Sequence, residues 1–334
     1  MKRFALLGAG FWSNYQLAAW GEVPGATCVV VCDPVREKAE ALATRFNIPH
    51  ITTDVETALA DVDFVDIVTP PETHPELVRL ALHKRIPVIC QKPLAEVLSI
   101  AEALLEESKS AEVPLLVHEN WRWQTPIRVL KDVLNSGAIG EVFRARLTMV
   151  SGFPVFANQP FLKTLERFLL ADIGVHVLDT ARFLFGETDS VYCQTRRVQS
   201  DIRGEDAATL MTRHNGVTVV TELGYVQNFY ERDHFPETFA LIEGAWGSVE
   251  LAPDFWLRVT TAEGTHSRRV PPPQYEWANS DYAVVHSSMV PCLTNLLCGI
   301  SGGRAETTAD DNLKTLRLIF AAYESAAQNT VIPL

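Results

Sequence analysis

The chain has 334 residues, 47 % apolar and 21 % charged, which is enough for about two domains at roughly 150 residues each and excludes a disordered or fibrous chain. Its 29 lysines and arginines against 41 acids leave a net charge of −12, which argues against nucleic acid or an anionic membrane as partner while leaving room for a small anion held by local amides. No uninterrupted run reaches the ~20 apolar residues of a bilayer span.

The opening "MKRFALLGAGFW" is basic and then apolar, but the apolar run is short and Gly8 and Gly10 interrupt it. It reads as a strand turning into a helix rather than a secretion signal, so the chain is expected to be cytoplasmic. Short apolar runs follow at 26–32, 63–69, 86–90 and 113–117. Helical spacing fills the gaps at 34–45, 73–85 and 95–110, with Val35, Ala39, Leu42, Ala43 and Phe46 on one side of the first of these. Apolar strands alternating with amphipathic helices imply a parallel sheet covered on both faces.

From residue 121 the pattern changes. Helices are expected at 120–136, 175–185, 283–300 and 308–327. Strands are expected at 141–149, 190–198, 206–214, 217–225, 237–244, 247–252, 255–261 and 265–270, with a hairpin at "HNGVT". Hairpin-joined strands make an antiparallel sheet and an α+β domain, so the expected division is 1–120 and 121–334, with the closing helix packing back on the first domain. The six cysteines (28, 32, 90, 193, 292, 298) include no CxxC pair and no compact His/Cys cluster. Buried thiols in a reducing compartment are expected, not a zinc site or a disulfide framework.

Two constellations carry chemistry. In "GAGFWS", Gly8 permits a tight turn and Gly10 lets the backbone approach a pyrophosphate at a helix N-terminus. The third glycine of the usual fingerprint is Ser13. Asp33, 23 residues after Gly10, either receives the ribose hydroxyls of NAD or caps the helix after Pro34; Arg36 close by would suit NADP. "TPPETH" (69–74), "CQKPLA" (90–95) and "HENWRW" (118–123) sit at successive strand ends, where an open parallel sheet binds its ligands. There Lys92 is either a proton donor or acceptor with a partly desolvated ammonium, or a plain loop lysine. In "LLADIGVHVLDTARFLFG" (169–186), Asp172 and His176 stand four apart, one helical face. A carboxylate beside an imidazole fixes its tautomer and makes it a general base. Asp179, beside Leu178 and Phe183, reads as a structural hydrogen-bonding group. Trp121, Trp123, Phe153, Phe156 and Phe161 are either an apolar wall for a sugar ring or core.

"GAGFW", "CDPVREKAEALATRF", "VDIVTPPETHPELVRLALHKRIPVICQKPLA", "ADIGVHVLD", the "SGAIGEV" lead-in and "TTADDNLKTLRLIFAAYESA" resemble the Gfo/Idh/MocA family of NAD(P)-dependent sugar and cyclitol dehydrogenases over nearly the whole chain. Where the family has Glu-Lys-Pro, this chain has Gln91-Lys92-Pro93; of Asp-x-Gly-x-His it keeps Asp172, Gly174 and His176, with Leu170 and Ala171 in place of the usual glycine pair. "QKP", "HENWRWQ", "QPF" and "GEDAATL" are similar to a narrower branch that includes D-apiose dehydrogenases.

The resemblance implies a Rossmann doubly wound parallel sheet followed by a C-terminal α+β domain on a large, mostly antiparallel sheet whose open face pairs subunits, hence a homodimer or homotetramer. It implies NAD, with NADP second, across Gly8, Gly10, Phe11, Trp12, Asp33, Thr69, Pro70, His74, Gln91 and Lys92, and no metal. It also implies a small neutral sugar or polyol near Lys92, Asn120, Arg122, Asp172 and His176. The expected reaction oxidises a hydroxyl: His176 or Lys92 takes its proton, Asp172 orients the imidazole, and hydride passes to the nicotinamide. The rivals are an inositol or cyclitol dehydrogenase, a glycosidase working by transient oxidation, and a non-catalytic NAD-sensing regulator. A sensor has no need of Lys92, Asp172 and His176 together.

Overall fold

A computed structural model describes residues 1–226 and 231–334. It forms two compact units: Met1–Asn120 with Tyr275–Ala278 and His286–Lys314, and Trp121–Gln274 with Asn279–Val285 and Thr315–Leu334. The units are therefore not the contiguous segments 1–120 and 121–334.

The first unit holds β1 (Lys2–Leu7), β2 (Ala26–Cys32), β3 (His50–Thr52), β4 (Phe64–Ile67), β5 (Val88–Gln91) and β6 (Leu115–His118), with α1 (Phe11–Gly21), α2 (Arg36–Phe46), α3 (Val55–Ala58), α4 (His74–His83) and α5 (Leu98–Ala111) between them. The sheet order is β3-β2-β1-β4-β5-β6, all parallel. This is the doubly wound Rossmann arrangement, with its switch between β1 and β4. Phe4, Leu6, Val31, Phe64, Ile67 and Ile89 are fully buried, as strands covered on both faces require. β3 and α3 are too short for a periodicity to reveal them. The chain returns to this unit late: Val117 donates to the Thr307 carbonyl (2.8 Å) and Leu116 bridges Thr308, just before the closing helix.

The second unit holds β7 (Val142–Val150), β8 (Thr188–Arg196), β9 (Ala207–His214), β10 (Val217–Gly224), β11 (Phe239–Gly244), β12 (Gly247–Ala252), β13 (Trp256–Thr261), β14 (Gly264–Arg269) and β15 (Ile332–Pro333), with α6 (Thr125–Asn135), α7 (Val155–Asn158) and α8 (Val175–Phe185). α9 (Ala283–Ile300) and α10 (Ala309–Gln328) close the chain. The sheet order is β14-β13-β12-β11-β7-β10-β9-β8-β15, antiparallel except for the parallel β7–β10 pair. The helix expected at 120–136 starts later, because Pro126 sets the first turn of α6 and Trp121–Trp123 form a separate 3₁₀ turn.

Strand alternation sorts the nine-stranded sheet cleanly. In register, Val191, Thr212, Val219, Ala145, Ile242 and Val249 line one face and are all buried. On the other, Met211, Val220, Arg146, Leu241 and Glu250 stand in one row, with Met211 53 % and Leu241 43 % exposed. Glu250 pairs with Arg258 at one end of that row, and the Arg144–Glu243 ion pair lies beside it. Residues 227–230, between the strands expected at 217–225 and 237–244, lie outside the described residues.

Five cysteines lie at buried or half-buried positions, but Cys298 is exposed at the end of α9, against the expectation that all are buried. Residues Ser280–Ile300 are long and apolar enough to cross a membrane, with mean hydropathy 1.5, yet 61 % of that stretch is buried within the protein. Buried polar residues His286, Ser287 and Ser288 and the internal Pro291 mark it as a core helix.

Candidate active site

In the first unit the glycine turn is built by close approach. Gly8 has φ +99°, and a Cβ there would lie 2.5 Å from the Val68 carbonyl oxygen, so only glycine fits. Gly10 precedes α1, and a Cβ added to it would meet nothing within 4 Å; the space beyond it is open. Ser13, in the third glycine's place, donates to the Gly8 carbonyl (2.8 Å) and accepts from the Gly10 amide (3.2 Å). Its hydroxyl braces the turn that it does not interrupt. α1 carries no acid in its first turn, which leaves its positive end available to an anion.

Asp33 follows β2 and is not the cap of α2, which begins after Val35. Its Oδ2 accepts from the Ala9 amide and its Oδ1 from the Val35 amide, both at 2.8 Å. The carboxylate therefore holds the glycine turn while keeping further lone pairs for a ribose hydroxyl. Arg36 is exposed and paired with Glu40 at 2.9 Å, so its charge is partly matched.

At the next strand ends, Thr69 is half-buried and Pro70 exposed. Phe11 is 47 % exposed, and Trp12 packs edge-on to it at 5.3 Å. His74 departs from expectation. It is fully buried, with Nδ1 2.8 Å from the Pro93 carbonyl and Nε2 2.9 Å from the Thr69 carbonyl. Burial pushes this imidazole's pKa down while the two carbonyls act the other way. His74 ties the Thr69 turn to the Lys92 turn and offers no surface to a cofactor. Lys92 is half-buried and joined to Pro93 by a cis peptide.

Behind Lys92 lies a buried polar chain that motif reading missed. Gln91 Nε2 donates to Gln16 Oε1 (2.6 Å), and Gln16 Nε2 lies 2.8 Å from both oxygens of Asp66. Trp20 Nε1 donates to the same carboxylate at 2.7 Å. Asp66 is fully buried, and desolvation raises its carboxyl to about 6. The available signal was an acid inside the apolar run "FVDIV", since a buried charge demands partners. Asn120 is also buried and donates to Ser288 Oγ at 2.8 Å.

In the second unit Asp172 lies in a π-helical turn, Leu170–Gly174, that runs directly into α8. A π turn is a recurrent feature of functional helices. Its start is anchored by Glu205, whose carboxylate accepts from the Phe168 amide (3.3 Å), the Leu170 amide (3.0 Å) and the Tyr323 hydroxyl (2.7 Å). His176 follows in the first turn of α8, 7 % exposed. Trp121 lies nearly parallel to its ring, centroids 4.7 Å apart and planes at 16°. The indole is held in turn by its Nε1–H on Thr238 Oγ1 at 2.9 Å. Trp121 is thus the backing of the imidazole rather than a wall for a sugar.

Arg122, expected to touch substrate, is instead a core cation. It is 4 % exposed and its Nε donates to Asp179 Oδ2 at 2.7 Å, with Nη2 on Oδ1. Thr315 Oγ1 donates to the same carboxylate (3.1 Å) and accepts from Arg182 Nη1 (2.7 Å). A bidentate buried pair leaves Arg122 little to offer a ligand. Asp179 is the structural acceptor its surroundings suggested. Of the other aromatics, Phe153 stacks on Phe235 at 4.2 Å, Phe156 packs on Phe168 at 5.3 Å, Trp123 lies under the Arg128 guanidinium at 3.5 Å, and Phe161 is 56 % exposed.

Among the described residues, His234, Glu237 and Asp254 are close enough to share a metal ion. Arg232 already pairs with Asp254, and His234 Nδ1 lies 3.4 Å from Glu237, so the acids there are matched by nitrogen groups.

Comparison with known proteins supplies the remaining context. Residues 2–119 match the model of the GFO_IDH_MocA oxidoreductase family with an NAD-binding Rossmann fold, and residues 127–250 match the GFO/IDH/MocA C-terminal domain. D-apiose dehydrogenase of Rhizobium rhizogenes is 39 % identical over 334 residues, covering 99 % of this chain and 96 % of that protein. D-apiose dehydrogenase of Paraburkholderia graminis is also 39 % identical, over 100 % of this chain and 90 % of its own. Among solved structures, an oxidoreductase from Agrobacterium radiobacter in complex with NAD+, L-tartaric acid and magnesium superposes with a TM-score of 0.96 at 38 % identity, covering 99 % of this chain and 98 % of its own.

Proposed function

Because the chain belongs to the Gfo/Idh/MocA family of NAD-binding oxidoreductases, we propose that it oxidises a CH–OH group of a small neutral sugar with NAD, D-apiose being the first substrate to try. The observation that carries this reading is the Gly8–Gly10 turn braced by Asp33 at the carboxyl edge of the same parallel sheet that presents Lys92. The 39 % identity to D-apiose dehydrogenases over almost the full length supports the choice of sugar.

The residues present fit the dinucleotide. Open space over Gly10 admits a pyrophosphate to the N-terminus of α1. Asp33 accepts from ribose hydroxyls and repels a 2′-phosphate, which favours NAD over NADP. When bound, the nicotinamide supplies the hydride acceptor. Lys92 hydrogen-bonds the developing alkoxide. His176, with Asp172 and Trp121 setting its orientation, or Lys92 itself, takes the hydroxyl proton. The open, partly apolar face of the nine-stranded sheet suits pairing with a second copy.

The experiment is a panel of pentoses, hexoses and inositols with NAD and with NADP, read by absorbance of the reduced cofactor. Steady reduction of NAD by one sugar is expected. Release of an aglycone from a glycoside with no net reduction would favour the transient-oxidation glycosidase instead. Lys92→Ala and His176→Ala should each lower kcat by ~10²–10⁴-fold, the range of a general acid or base. Parental turnover in either folded variant removes that residue from the mechanism.

A further inference from the structure

The polar chain behind Lys92 has a direction, and the direction follows from which groups can donate. Asp66 lies in β4, in register with Leu6 on one side and Ile89 on the other. Its side chain is sealed from solvent. Once ionised, a carboxylate only accepts. Gln16 must therefore turn its NH₂ toward Asp66, where it lies 2.8 Å from each oxygen. Its carbonyl oxygen is then forced to the other side, 2.6 Å from Gln91 Nε2. Gln91 must in turn present its own NH₂ to Gln16. The same nitrogen lies 3.0 Å from His118 Nδ1, which accordingly acts as acceptor. The Gln91 carbonyl oxygen is left facing the Lys92 amide at 3.3 Å. From the Lys92 turn inward the donors run through Gln91 and Gln16 to one buried acid, with His118 as a side acceptor of Gln91.

We propose that Asp66 and Gln16 are positioning residues for Lys92, and that the buried carboxylate in β4 dictates an amide, not an acid, at position 91. His118 can meet a glutamate at 91 by moving its proton to Nδ1, but the inward oxygen of that carboxylate would face the Gln16 oxygen. Gln16 cannot turn round to meet it, because its oxygen would then face Asp66. Two acceptors facing each other in a buried site are destabilising, since neither has water to turn to. With Asp66→Asn and Gln91→Glu made together, the whole chain reverses. The new amide at position 66 accepts from Trp20 and donates to the Gln16 oxygen. Gln16 then donates to the new carboxylate at position 91, and His118 moves its proton to Nδ1. Position 66 and position 91 therefore carry one acid between them, and either order satisfies every group.

The inference rests on the reading that Lys92 serves the reacting hydroxyl, and the experiment separates the two. Gln91→Glu, Asp66→Asn, the double variant and Lys92→Met are made in the full chain. Each is measured for kcat, for KM toward NAD and sugar, and for the thermal unfolding midpoint. Each single variant at 66 or 91 should lose about tenfold in kcat with KM for NAD within about twofold. The double variant should return to within about threefold of the parent, a coupling typical of residues in one hydrogen-bond network. Losses that simply multiply in the double variant overturn the proposal. Recovery of the unfolding midpoint without recovery of kcat shows a reversible chain that does not position Lys92, and overturns that part. Parental kcat in Lys92→Met overturns the functional reading instead, while the unfolding midpoints still report the chain's polarity. If Asp66→Asn does not fold, Gln91→Met serves: it keeps length but cannot donate, and should lose kcat as Gln91→Glu does. Parental kcat in Gln91→Met overturns the role of the chain.

Discussion

At the scale of single residues, Asp33 holds a turn with the same carboxylate that the proposed function assigns to ribose recognition. Both oxygens already hold backbone amides, Ala9 and Val35, so removing the charge is expected to loosen the turn as well as the proposed ribose contact. Asp33→Asn turns an NH₂ toward one of those donors. It should raise KM for NAD about tenfold or more, the size of a lost hydrogen bond to a charged group, and narrow the preference over NADP. Initial rates with both cofactors decide it; an unchanged KM for NAD retires the residue from recognition. His286 gives a prediction in pH. It is buried and stacked on Tyr15 at 3.9 Å, and desolvation pushes its imidazole down from 6.5 to about 4. The unfolded chain takes up that proton below pH 6.5 and the folded chain does not until about 4. The stability present above 6.5 is thus lost as pH falls toward 4, by about 3 kcal/mol for this group. Asp66, raised to about 6 from 3.8, acts in the opposite sense over part of the range. The measurement is therefore a difference: urea unfolding of parent and His286→Phe at pH 7 and 5, with the variant expected to lose less stability between them.

At the scale of elements, the candidate residues of each unit depend on how short segments are held: two turns in the first unit and one in the second. The glycine turn is braced by Ser13 and Asp33, the Lys92 turn by His74 and Gln91, and the π turn before α8 by Glu205. Each brace is a polar side chain holding backbone groups that no helix or strand satisfies. Glu205→Ala strips the acceptor from two amides and the Tyr323 hydroxyl. The expected loss is about 1–3 kcal/mol, seen as a lower midpoint in chemical denaturation, together with reduced kcat because Asp172 and His176 ride on the same helix. A stable variant with reduced kcat would mean the anchor orients without stabilising; parental values in both would show that the turn holds itself. Trp121 acts likewise on His176. Its flat face, 4.7 Å from the imidazole and nearly parallel to it, fixes the plane of the ring.

At the scale of the whole molecule, the nine-stranded sheet has one face that is core and one that carries Met211, Val220 and Leu241 among ion pairs. If that face pairs copies, light scattering gives twice or four times the mass of one 37.1 kDa chain, and Met211→Glu with Leu241→Glu shifts the population toward single chains. A parent that runs as one chain ends the pairing proposal and leaves the catalytic reading intact. The chain's return to the first unit through Tyr275–Ala278 and His286–Lys314 is a second property of this scale. It brings Trp277 to Glu22 at 3.1 Å and His286 against Tyr15, contacts between residues more than 250 apart in sequence.

What could be read along the chain was whatever depends on neighbours in sequence. Strand runs, helical spacing, the Gly8–Gly10 turn and Asp33 after the second strand all follow from local geometry, because a turn or a helical face is set by a few consecutive residues; the π turn that carries Asp172 ahead of α8 does not. What folding alone decided was which polar groups meet. Arg122 looked like a ligand-binding cation and became the buried partner of Asp179; His74 looked like a cofactor contact and became a clamp between two carbonyls; Asp66 and Gln16 drew no attention and became the support of Lys92. The physical reason is that a hydrogen bond is a property of two groups at about 3 Å; the partners of Gln16, Asp66 and Arg122 lie 50 to 75 residues away, and one of the two His74 carbonyls lies 19 away on another strand end, distances over which no sequence periodicity extends.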